Sequence, residues 1–497
     1  MNLRFLLFLA LLPGAMLPAE VTLPKILSSH MVVQRDQPVH VWGMAAPGEE
    51  VTVGFRGQTR AVKTGELGRW SVYLSPGAAG GPFRLTVQGS KADGGVQLIA
   101  LEDVLVGDVW LASGQSNMEF ELRNAATAAA DLPQASNDRI RLLTVEKRTA
   151  DFAQDDIETK GWVASTPDTA KYFSAVAWYF AREIEQREHV PVGIVDDTWG
   201  GTVAESWVRL RALGEDASLM PLFVSRGKMT DHEADGFLED KLHQQQIAAA
   251  KAAGTPVTEF PWHPPLQTWA PGLIYNGMIA PLTPLPMRGV IWYQGESNSA
   301  LERAPLYHRI FRTLIEDWRH QWGLGDFPFL FVQIANFKSG PGEDWATLRE
   351  QQRQTLELRN TAMAVTIDIG NPDNVHPTDK VDVGQRLALA ARALSYGETL
   401  EFSGPLYRQS VPEGSAMRVW FDHGNGLTVK GDALTGFEVA GRDGKFVAAT
   451  AKVEGGTVLA ASPDVSEPVA VRYGWANSPL CNLYNGAGLP ASPFTSK

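Results

Sequence analysis

The feature that most constrains the fold is the hydrophobicity pattern of residues 104–397, where short apolar runs alternate with amphipathic segments. Residues 104–112 (VLVGDVWLA), 192–195 (VGIV) and 288–293 (RGVIWY) are too uniformly apolar for strands with one solvated face. Between such runs, apolar side chains recur at the three- to four-residue spacing of a helix that covers a sheet. Because buried strands that alternate with helices are typical of a doubly wound parallel sheet, the sequence predicts an α/β core.

Both flanks of this core have the texture of β-rich domains. Residues 20–102 and 401–497 contain short alternating runs separated by turn-forming residues, without helical periodicity. We therefore predict an N-terminal β-sandwich domain at 20–102, a central α/β domain at 103–400 and a C-terminal β-rich domain at 401–497. A polar, Gln- and Ala-rich insertion at about 211–271 is too long for an ordinary loop, and we expect it to shape the site more than the fold.

Residues 1–19 have the layout of a secretory signal peptide. Arg4 precedes an apolar run, and small residues follow it near the end of the segment. The run is too short to span a bilayer comfortably, so we expect a secreted or periplasmic protein that is not inserted in a membrane. Cys481 is the single cysteine of the sequence, which excludes an intramolecular disulfide. A net charge of −12 without a Lys/Arg-rich run argues against a nucleic-acid partner.

Four segments of the central domain end predicted strands with residues suited to acyl transfer. They are residues 113–118 (SGQSNM), 196–202 (DDTWGGT), 294–298 (QGESN) and 373–377 (DNVHP). Since the carboxyl ends of parallel strands meet at one edge of a sheet, we expect the four segments to lie together. Ester hydrolysis needs a nucleophile, a base with a group that orients it, and donors for an oxyanion. The set as a whole predicts a serine esterase.

Individual roles follow from the chemistry of each side chain. Ser116 is the predicted nucleophile, and His376, 260 residues later, is the predicted base. Asp373 lies three residues before His376, where its carboxylate would hold the imidazole in the productive orientation. Glu296 and Asp368 are other carboxylates near predicted strand ends, and they stay alternatives for this orienting role.

The same blocks resemble, in order, those of the sialate O-acetylesterase family. Besides the four segments, the resemblance includes residues 27–34 (LSSHMVVQ) and the tail from 475 to 494, so it covers nearly the whole chain after residue 19. The family belongs to the SGNH (GDSL-like) hydrolases. The resemblance therefore implies a flavodoxin-like, three-layer α/β core with a parallel sheet, flanked by β-sandwich-like domains.

The resemblance also implies how the oxyanion and the substrate are bound. Ser116 and Gly201 match positions whose backbone N–H groups bind the oxyanion, and Gln294 stands where the superfamily name expects an asparagine donor. Acetyl groups would leave sugar hydroxyls through a Ser-His-Asp acyl-enzyme mechanism that needs no metal and no cofactor. Trp199 and Trp292 are candidate substrate contacts because aromatic faces suit sugar rings. Asn117, next to Ser116, is a third candidate.

The identity of the substrate stays open at this point. The expected substrate is a small-molecule or oligosaccharide acetyl ester, and the sequence does not separate an O-acetylated sialic acid from acetylated xylan or another hemicellulose. Two other classes of protein share these features. One is a non-catalytic carbohydrate-binding protein, and the other is a lipase or thioesterase that acts on longer acyl chains.

Overall fold

The computed structural model describes residues 20–91, 95–255 and 265–497, with the side chains of 228–240 and 266 left out. The signal peptide predicted at 1–19 lies outside these residues and stays a prediction. In the described part of the chain, no helix is both long enough and apolar enough to cross a membrane.

The N-terminal region is built from strands alone, as its turn-rich sequence predicts. The strands are β1 (Val32–Gln34), β2 (Val39–Met44), β3 (Glu50–Phe55), β4 (Gln58–Lys63), β5 (Arg69–Leu74), β6 (Gly80–Ser90) and β7 (Val96–Gly114). Strands β2 and β5 pair with each other, and β3 pairs with both β4 and β6. Alternate residues of β3 and β5 are buried, so one face of each strand packs in the core.

Strand β7 joins this region to the central domain. Its first part pairs antiparallel with β6, and a segment in its middle pairs parallel with β1. Its last part lies between two parallel strands of the central sheet. The strand crosses the boundary that we predict between residues 102 and 103, and buried side chains from both sides form one hydrophobic core.

The central domain is the predicted α/β core. Its further strands are β8 (Asn137–Thr144), β9 (Val163–Ser165), β10 (Val192–Thr198), β11 (Gly289–Tyr293), β12 (Phe329–Gln333) and β13 (Thr361–Val365). Its α-helices are α1 (Ser116–Glu119), α2 (Ala128–Asp131), α3 (Pro167–Ala170), α4 (Ala175–Glu188), α5 (Leu210–Gly214), α6 (Met220–Ala253), α7 (Tyr307–Trp322), α8 (Trp345–Gln354) and α9 (Val381–Ser395). The sheet order is β13-β12-β11-β7-β10-β8-β9, and all neighbours except β8 and β9 are parallel.

Helices cover both faces of this sheet, which explains the uniformly apolar strands. Every residue of β10, β11 and β12 is buried. Trp292 packs against Phe311 and Trp318 of α7. The next residue, Tyr293, points to the opposite face of the sheet. There the Nζ atom of Lys380, the residue directly before α9, lies 5.3 Å from the centroid of the Tyr293 ring.

Much of the predicted insertion is the helix α6, which has 34 residues. It ends at Gly254, which has the left-handed conformation common after a helix. The Gln- and Ala-rich residues 243–253 form the last part of α6. Residues 256–264 lie outside the described part of the chain.

The C-terminal region is again built from strands. They are β14 (Leu406–Glu413), β15 (Ala416–Asp422), β16 (Thr428–Val429), β17 (Phe437–Ala440), β18 (Phe446–Ala448), β19 (Thr450–Glu454), β20 (Thr457–Ala461), β21 (Ala470–Tyr473), β22 (Leu483–Tyr484) and β23 (Phe494–Thr495). They form two four-stranded antiparallel sheets, β14-β15-β20-β19 and β18-β17-β21-β23, besides the pair β16-β22. Buried side chains from both sheets form a second hydrophobic core.

A buried ionic cluster around Asp108 ties the N-terminal region to the central sheet. The Asp108 carboxylate is fully buried and accepts hydrogen bonds from Arg35 at 2.9 Å and 3.0 Å, from Arg288 at 2.8 Å and from the Tyr396 hydroxyl at 2.9 Å. Burial alone would raise the pKa of Asp108, but the two guanidinium groups outweigh it and hold the pKa below its ordinary value. The cluster lies where β7 enters the parallel sheet, at the opposite end from Ser116.

Replacing Asp108 should therefore destabilise the whole chain. We expect Asp108→Ala to lower the free energy of unfolding by about 3–5 kcal/mol, because two arginines would keep no buried counter-charge. Urea unfolding followed by tryptophan fluorescence measures this. Asp36→Ala is the matched control, because Asp36 binds the same Arg288 at 3.0 Å but its side chain is 69% exposed. A loss above about 1 kcal/mol is not expected from that surface pair. Equal losses in the two variants would contradict the prediction.

Candidate active site

Ser116 lies at the carboxyl end of β7, where it is the first residue of the short helix α1. The strand ends in Gly114, whose φ of +134° is rarely adopted by other residues, and a Cβ atom there would lie 2.2 Å from the Tyr293 carbonyl oxygen. This close approach lets the backbone N–H of Gln115 donate to the same carbonyl at 3.0 Å. As the first helical residue, Ser116 has a backbone N–H with no acceptor inside the helix.

The start of α4 holds this helix in place. Ser174, the N-cap residue of α4, accepts a hydrogen bond from the backbone N–H of Ala177, and its hydroxyl donates to the Met118 carbonyl at 2.6 Å. The backbone N–H of Ala175 donates to the Phe120 carbonyl at 2.8 Å. An N-cap serine normally serves its own helix. Here it also fixes the turn that carries the predicted nucleophile.

His376 lies in the loop between β13 and α9 and meets Ser116 directly. The Nε2 atom of His376 is 2.7 Å from the Ser116 Oγ atom, so the structure brings together the two residues that the sequence places 260 positions apart. Burial lowers the pKa of His376, and the nearby Lys380 ammonium lowers it further, whereas Glu119 acts in the opposite direction. A neutral imidazole at this distance is able to accept the hydroxyl proton.

Asp373 does not contact His376, and the predicted Asp373–His376 interaction is wrong in this structure. The Asp373 side chain is 81% exposed, and its carboxylate pairs with Lys338 at 3.2 Å. Two residues of an irregular loop, Asn374 and Val375, separate Asp373 from His376, and this loop turns the carboxylate toward solvent. Sequence spacing alone did not reveal this direction.

The two alternative carboxylates do not bind His376 either. Asp368 is held by both nitrogens of the Arg386 fork, at 2.7 Å and 2.9 Å. Glu296 is almost fully buried and accepts a hydrogen bond from the Asn117 amide at 2.5 Å. Within the described part of the chain, no carboxylate forms a hydrogen bond with His376.

The loop after β10 supplies a backbone donor beside Ser116. The N–H of Gly200 donates to the Glu119 carboxylate at 2.5 Å, and the same carboxylate pairs with Lys147. The carbonyl of Gly201 accepts a hydrogen bond from the Trp269 indole at 2.8 Å. Gly201 has a φ of +75°, and its own N–H has no acceptor among the described residues. The oxyanion role that the resemblance implies for this N–H stays a prediction.

Gln294 cannot act as the predicted oxyanion donor in this structure. Its side chain is fully buried, and its amide nitrogen donates to the Thr202 carbonyl at 3.2 Å and to Asn298 at 2.7 Å. Its amide oxygen accepts from the Tyr307 hydroxyl at 2.8 Å. Both N–H bonds are used, so the amide braces the loop after β11 and does not face the ligand.

Gln115 is better placed to supply a side-chain amide. It lines the cleft beside Ser116, and its amide oxygen is fixed by the backbone N–H groups of Ser297 at 3.2 Å and Gly295 at 3.4 Å. With the oxygen fixed, the amide nitrogen has no acceptor among the described residues. The sequence offered one usable signal for this role, a side-chain amide directly before the predicted nucleophile.

The cleft above Ser116 and His376 has a volume of about 880 Å³. Its aromatic walls are Phe120, Trp199, Trp269, Phe337 and Trp345, and its charged lining residues are Glu119, Glu121, Lys147, Glu296 and Glu343. Pro265 and Trp269 are contributed by the 211–271 stretch, which thus reaches the site as predicted. In the described residues, no group of three or more His, Cys, Asp or Glu side chains is arranged to hold a metal ion.

Of the three predicted substrate contacts, the structure places one in the cleft and two in buried positions. Trp199 lies in the wall of the cleft. Trp292 is fully buried against Phe311 and Trp318, so its prediction as a substrate contact is wrong and it is a core residue. Asn117 is also buried, beneath Ser116, and cannot reach a sugar in the cleft. The side-chain alternation along β11 explains the error for Trp292.

Comparisons with known proteins identify the family of the chain. The family model described as carbohydrate esterase, sialic acid-specific acetylesterase, matches residues 243–393. The chain is 30% identical to the sialate O-acetylesterase of Mus musculus, covering 95% of this chain and 93% of that protein. It is also 30% identical to the sialate O-acetylesterase of Homo sapiens, covering 94% of this chain and 91% of that protein. A crystal structure of a carbohydrate acetylesterase from Xanthomonas citri matches with a TM-score of 0.82 and 40% identity, over 96% of this chain and 100% of that chain.

An α/β sheet with a serine and a histidine in contact at its carboxyl edge, together with these similarities, defines a carboxylic ester hydrolase of the carbohydrate esterase class. The chain belongs to the sialate O-acetylesterase family. The family resemblance of the sequence motifs is confirmed.

The environment of His376 predicts the pH dependence of catalysis. The neutral imidazole is the active form, so kcat/KM should rise with pH through the pKa of His376 in the free enzyme. Because burial and Lys380 lower that pKa, we expect the inflection below the ordinary imidazole value of about 6.5. Hydrolysis of p-nitrophenyl acetate across a pH series measures it.

Glu119→Gln tests the sign of this prediction. The variant removes the negative charge that raises the pKa of His376, so its acidic limb should move to still lower pH, whatever happens to kcat. An inflection above the ordinary value in the native enzyme, or an upward shift in the variant, would contradict the assigned electrostatics.

Proposed function

We propose that the protein is a secreted or periplasmic carbohydrate O-acetylesterase that removes acetyl groups from sugar hydroxyls through an acyl-enzyme intermediate. The observation that carries the proposal is the 2.7 Å contact between Ser116 Oγ and His376 Nε2 at the floor of a cleft with aromatic walls. The names of the relatives, which include a carbohydrate acetylesterase and sialate O-acetylesterases, support this class of substrate.

In the proposed first step, Ser116 attacks the acetyl carbonyl while His376 Nε2 accepts its proton. The tetrahedral oxyanion would be held by the backbone N–H groups of Ser116 and Gly201 and by the amide of Gln115. Loss of one such donor typically costs about 2.7–4 kcal/mol of transition-state stabilisation. His376 then gives the proton to the departing sugar oxygen. In the second step, His376 activates a water molecule that releases acetate and restores the serine.

The architecture proposed for this function is an SGNH-hydrolase core. Without the edge strands β8 and β9, the order β10-β7-β11-β12-β13 corresponds to the flavodoxin-like order 2-1-3-4-5. In that order the chain first winds from β7 to β10 and then returns to the other side of β7 to form β11, so the strand order reverses between β7 and β11, which supports a binding site at the carboxyl ends of these strands. We further propose that residues 20–102 and 401–497 are β-sandwich-like domains around a hydrolase domain at 103–400, and that residues 1–19 direct secretion.

Ser116→Ala tests the nucleophile. We expect kcat for p-nitrophenyl acetate to fall by on the order of 10⁴-fold or more, because the covalent step is lost while the cleft is preserved. Ser113→Ala is the matched control, since the Ser113 hydroxyl is buried on the same strand without a hydrogen-bond partner among the described residues. Circular dichroism should show the same fold in both variants. Near-native turnover by Ser116→Ala would refute the assigned role.

The acyl group is tested by chain length. The backbone of Gly200 approaches Ser116 closely, since a Cβ atom on Gly200 would lie 3.2 Å from the Ser116 Cβ atom, and we propose that this loop leaves room for a short acyl group only. Acetyl esters should therefore be hydrolysed faster than octanoyl esters, whose added methylenes lose about 0.8 kcal/mol each by staying in water. A preference for octanoate would favour a lipase or thioesterase.

A panel of acetylated glycans, including an O-acetylated sialic acid and acetylated xylo-oligosaccharides, then identifies the sugar. The readout is kcat/KM for acetate release from each glycan, measured beside p-nitrophenyl acetate. Binding of these glycans without any acetate release would favour the non-catalytic binding protein.

A further inference from the structure

The Asn117 amide stands where three active-site segments meet. Its nitrogen donates to the Glu296 carboxylate at 2.5 Å and to the Val375 carbonyl at 3.0 Å, and its oxygen accepts from the Lys380 ammonium at 2.6 Å. Asn117 follows the predicted nucleophile, Val375 precedes the predicted base, and Glu296 lies in the loop after β11. One side chain thus links the three segments that the reaction requires.

All three polar side chains of this network are buried. The exposed fraction is 1% for Asn117, 0% for Lys380 and 9% for Glu296. Burial lowers the pKa of Lys380 and raises that of Glu296, and each charge acts against the effect of burial on the other. Burying two charges is expensive unless they are paired, so their placement on either side of one amide needs a reason.

We propose that Asn117, held between Lys380 and Glu296, is a positioning residue that fixes the His376 loop against the Ser116 helix. The proposal rests on the roles assigned above to Ser116 and His376. The proposal explains how His376 is held although no described carboxylate binds it. The Asn117 amide binds the carbonyl of Val375, the residue directly before His376, and so fixes the main chain of the loop.

The two charges determine which way the amide points. In the observed orientation the oxygen faces an ammonium, and the nitrogen faces a carboxylate and a carbonyl. After a flip, the nitrogen would face the ammonium, while the oxygen would face two acceptors. Each of the favourable contacts is a hydrogen bond to a charged group or in a water-excluded site, where such bonds are strong. The N–H donor to Val375 is therefore fixed in direction.

Other charged groups around the network are few in the described part of the chain. Those near His376 are Glu119 and its partner Lys147, and Lys380 from the start of α9. Those near Lys380 are Glu296 and Asp379, together with the rings of Phe120 and Tyr293, whose centroids lie 4.8 Å and 5.3 Å from its Nζ atom. Asp373, on the His376 loop itself, pairs with Lys338 at the surface.

Asn117→Asp tests the proposal with almost no change in shape. The aspartate still accepts from Lys380, but it turns an oxygen instead of an N–H toward Glu296 and Val375. We expect kcat for p-nitrophenyl acetate to fall by about 10²-fold, since small misplacements of reacting groups have effects of this size. The KM should stay within about threefold, because Asn117 does not line the cleft.

The double variant Asn117→Asp, Glu296→Gln reverses one hydrogen bond and restores the number of buried charges. The glutamine amide can donate to the new aspartate, but no N–H is returned to the Val375 carbonyl. We therefore expect kcat to stay at least about tenfold below the native value although the number of buried charges is restored, and a double-mutant cycle measures how much of the loss comes from charge alone. Glu296→Gln alone keeps an acceptor for Asn117 and should lose less than Asn117→Asp. Asn371→Asp, a surface change on the His376 loop, is the matched control and should keep native kcat.

Lys380→Met is the second variant if Asn117→Asp does not fold. It preserves side-chain length, removes the donor to Asn117 and removes the charge that lowers the pKa of His376. We expect a lower kcat together with a shift of the acidic limb of kcat/KM to higher pH. The shift of the limb reports the lost charge, whereas the lower kcat reports the lost position of the Asn117 amide.

The outcomes separate this proposal from the proposed function. Native kcat in Asn117→Asp would overturn the positioning role. If that variant does not fold, a native kcat and a native acidic limb in Lys380→Met would overturn it. Neither result would affect the expected inactivity of Ser116→Ala. Native kcat in the double variant would also overturn the positioning role, because the buried charges and not the Val375 contact would then account for the loss. A large loss in Asp373→Asn with little loss in Asn117→Asp would return the orienting role to Asp373. Failure of the native enzyme to hydrolyse acetate esters would instead refute the proposed function itself.

Discussion

Strand β7 is hydrogen-bonded over its last seven residues to β10 on one side and over its last five residues to β11 on the other. This double pairing brings three loops to one edge of the sheet, namely those that carry Ser116, Gly201 and Glu296. His376 reaches the same edge from the end of β13 at the sheet margin. The strand is also anchored at its other end, where buried Asp108 binds arginines from two regions. The position of the nucleophile therefore depends on main-chain geometry over the whole length of the strand.

Close packing at the end of β7 imposes a further condition on the sequence. The backbone of Gly114 approaches Tyr293 so closely that any side chain would push the two strands apart. Gly201 adopts a left-handed conformation, and its N–H has no acceptor among the described residues. Each glycine removes a side chain where the backbone needs room, against the partner strand at Gly114 and, in the proposed mechanism, toward the oxyanion at Gly201. The small residues of these motifs thus have a geometric role, besides the chemical role of their polar neighbours.

The sequence was sufficient for the α/β core, the β-rich flanks and the pairing of Ser116 with His376, because these depend on periodicity and on parallel strands ending at one edge. It was insufficient wherever the direction of a side chain decides the role. Asp373 lies near His376 in sequence but its carboxylate turns to solvent, the Gln294 amide donates both N–H bonds to Thr202 and Asn298, and Trp292 faces the core. Sequence spacing alone does not select Gln115. Its amide nitrogen is recognised as a donor only when the structure shows that its amide oxygen is bound by the neighbouring loop. Hydrogen-bond partners across long sequence separations are not encoded in local spacing.

The site separates the groups that fix its geometry from those that touch the substrate. Asn117, Lys380 and Gln294 are buried and do not line the cleft, and each forms hydrogen bonds with other protein groups. Trp199, Trp269 and Trp345 line the cleft above them and make no hydrogen bond to Ser116 or His376. Substitutions in the aromatic wall can therefore alter the accepted sugar without moving the reacting atoms. Glycan specificity and the mechanism of ester hydrolysis therefore depend on different layers of side chains, so the specificity can change while the mechanism is kept.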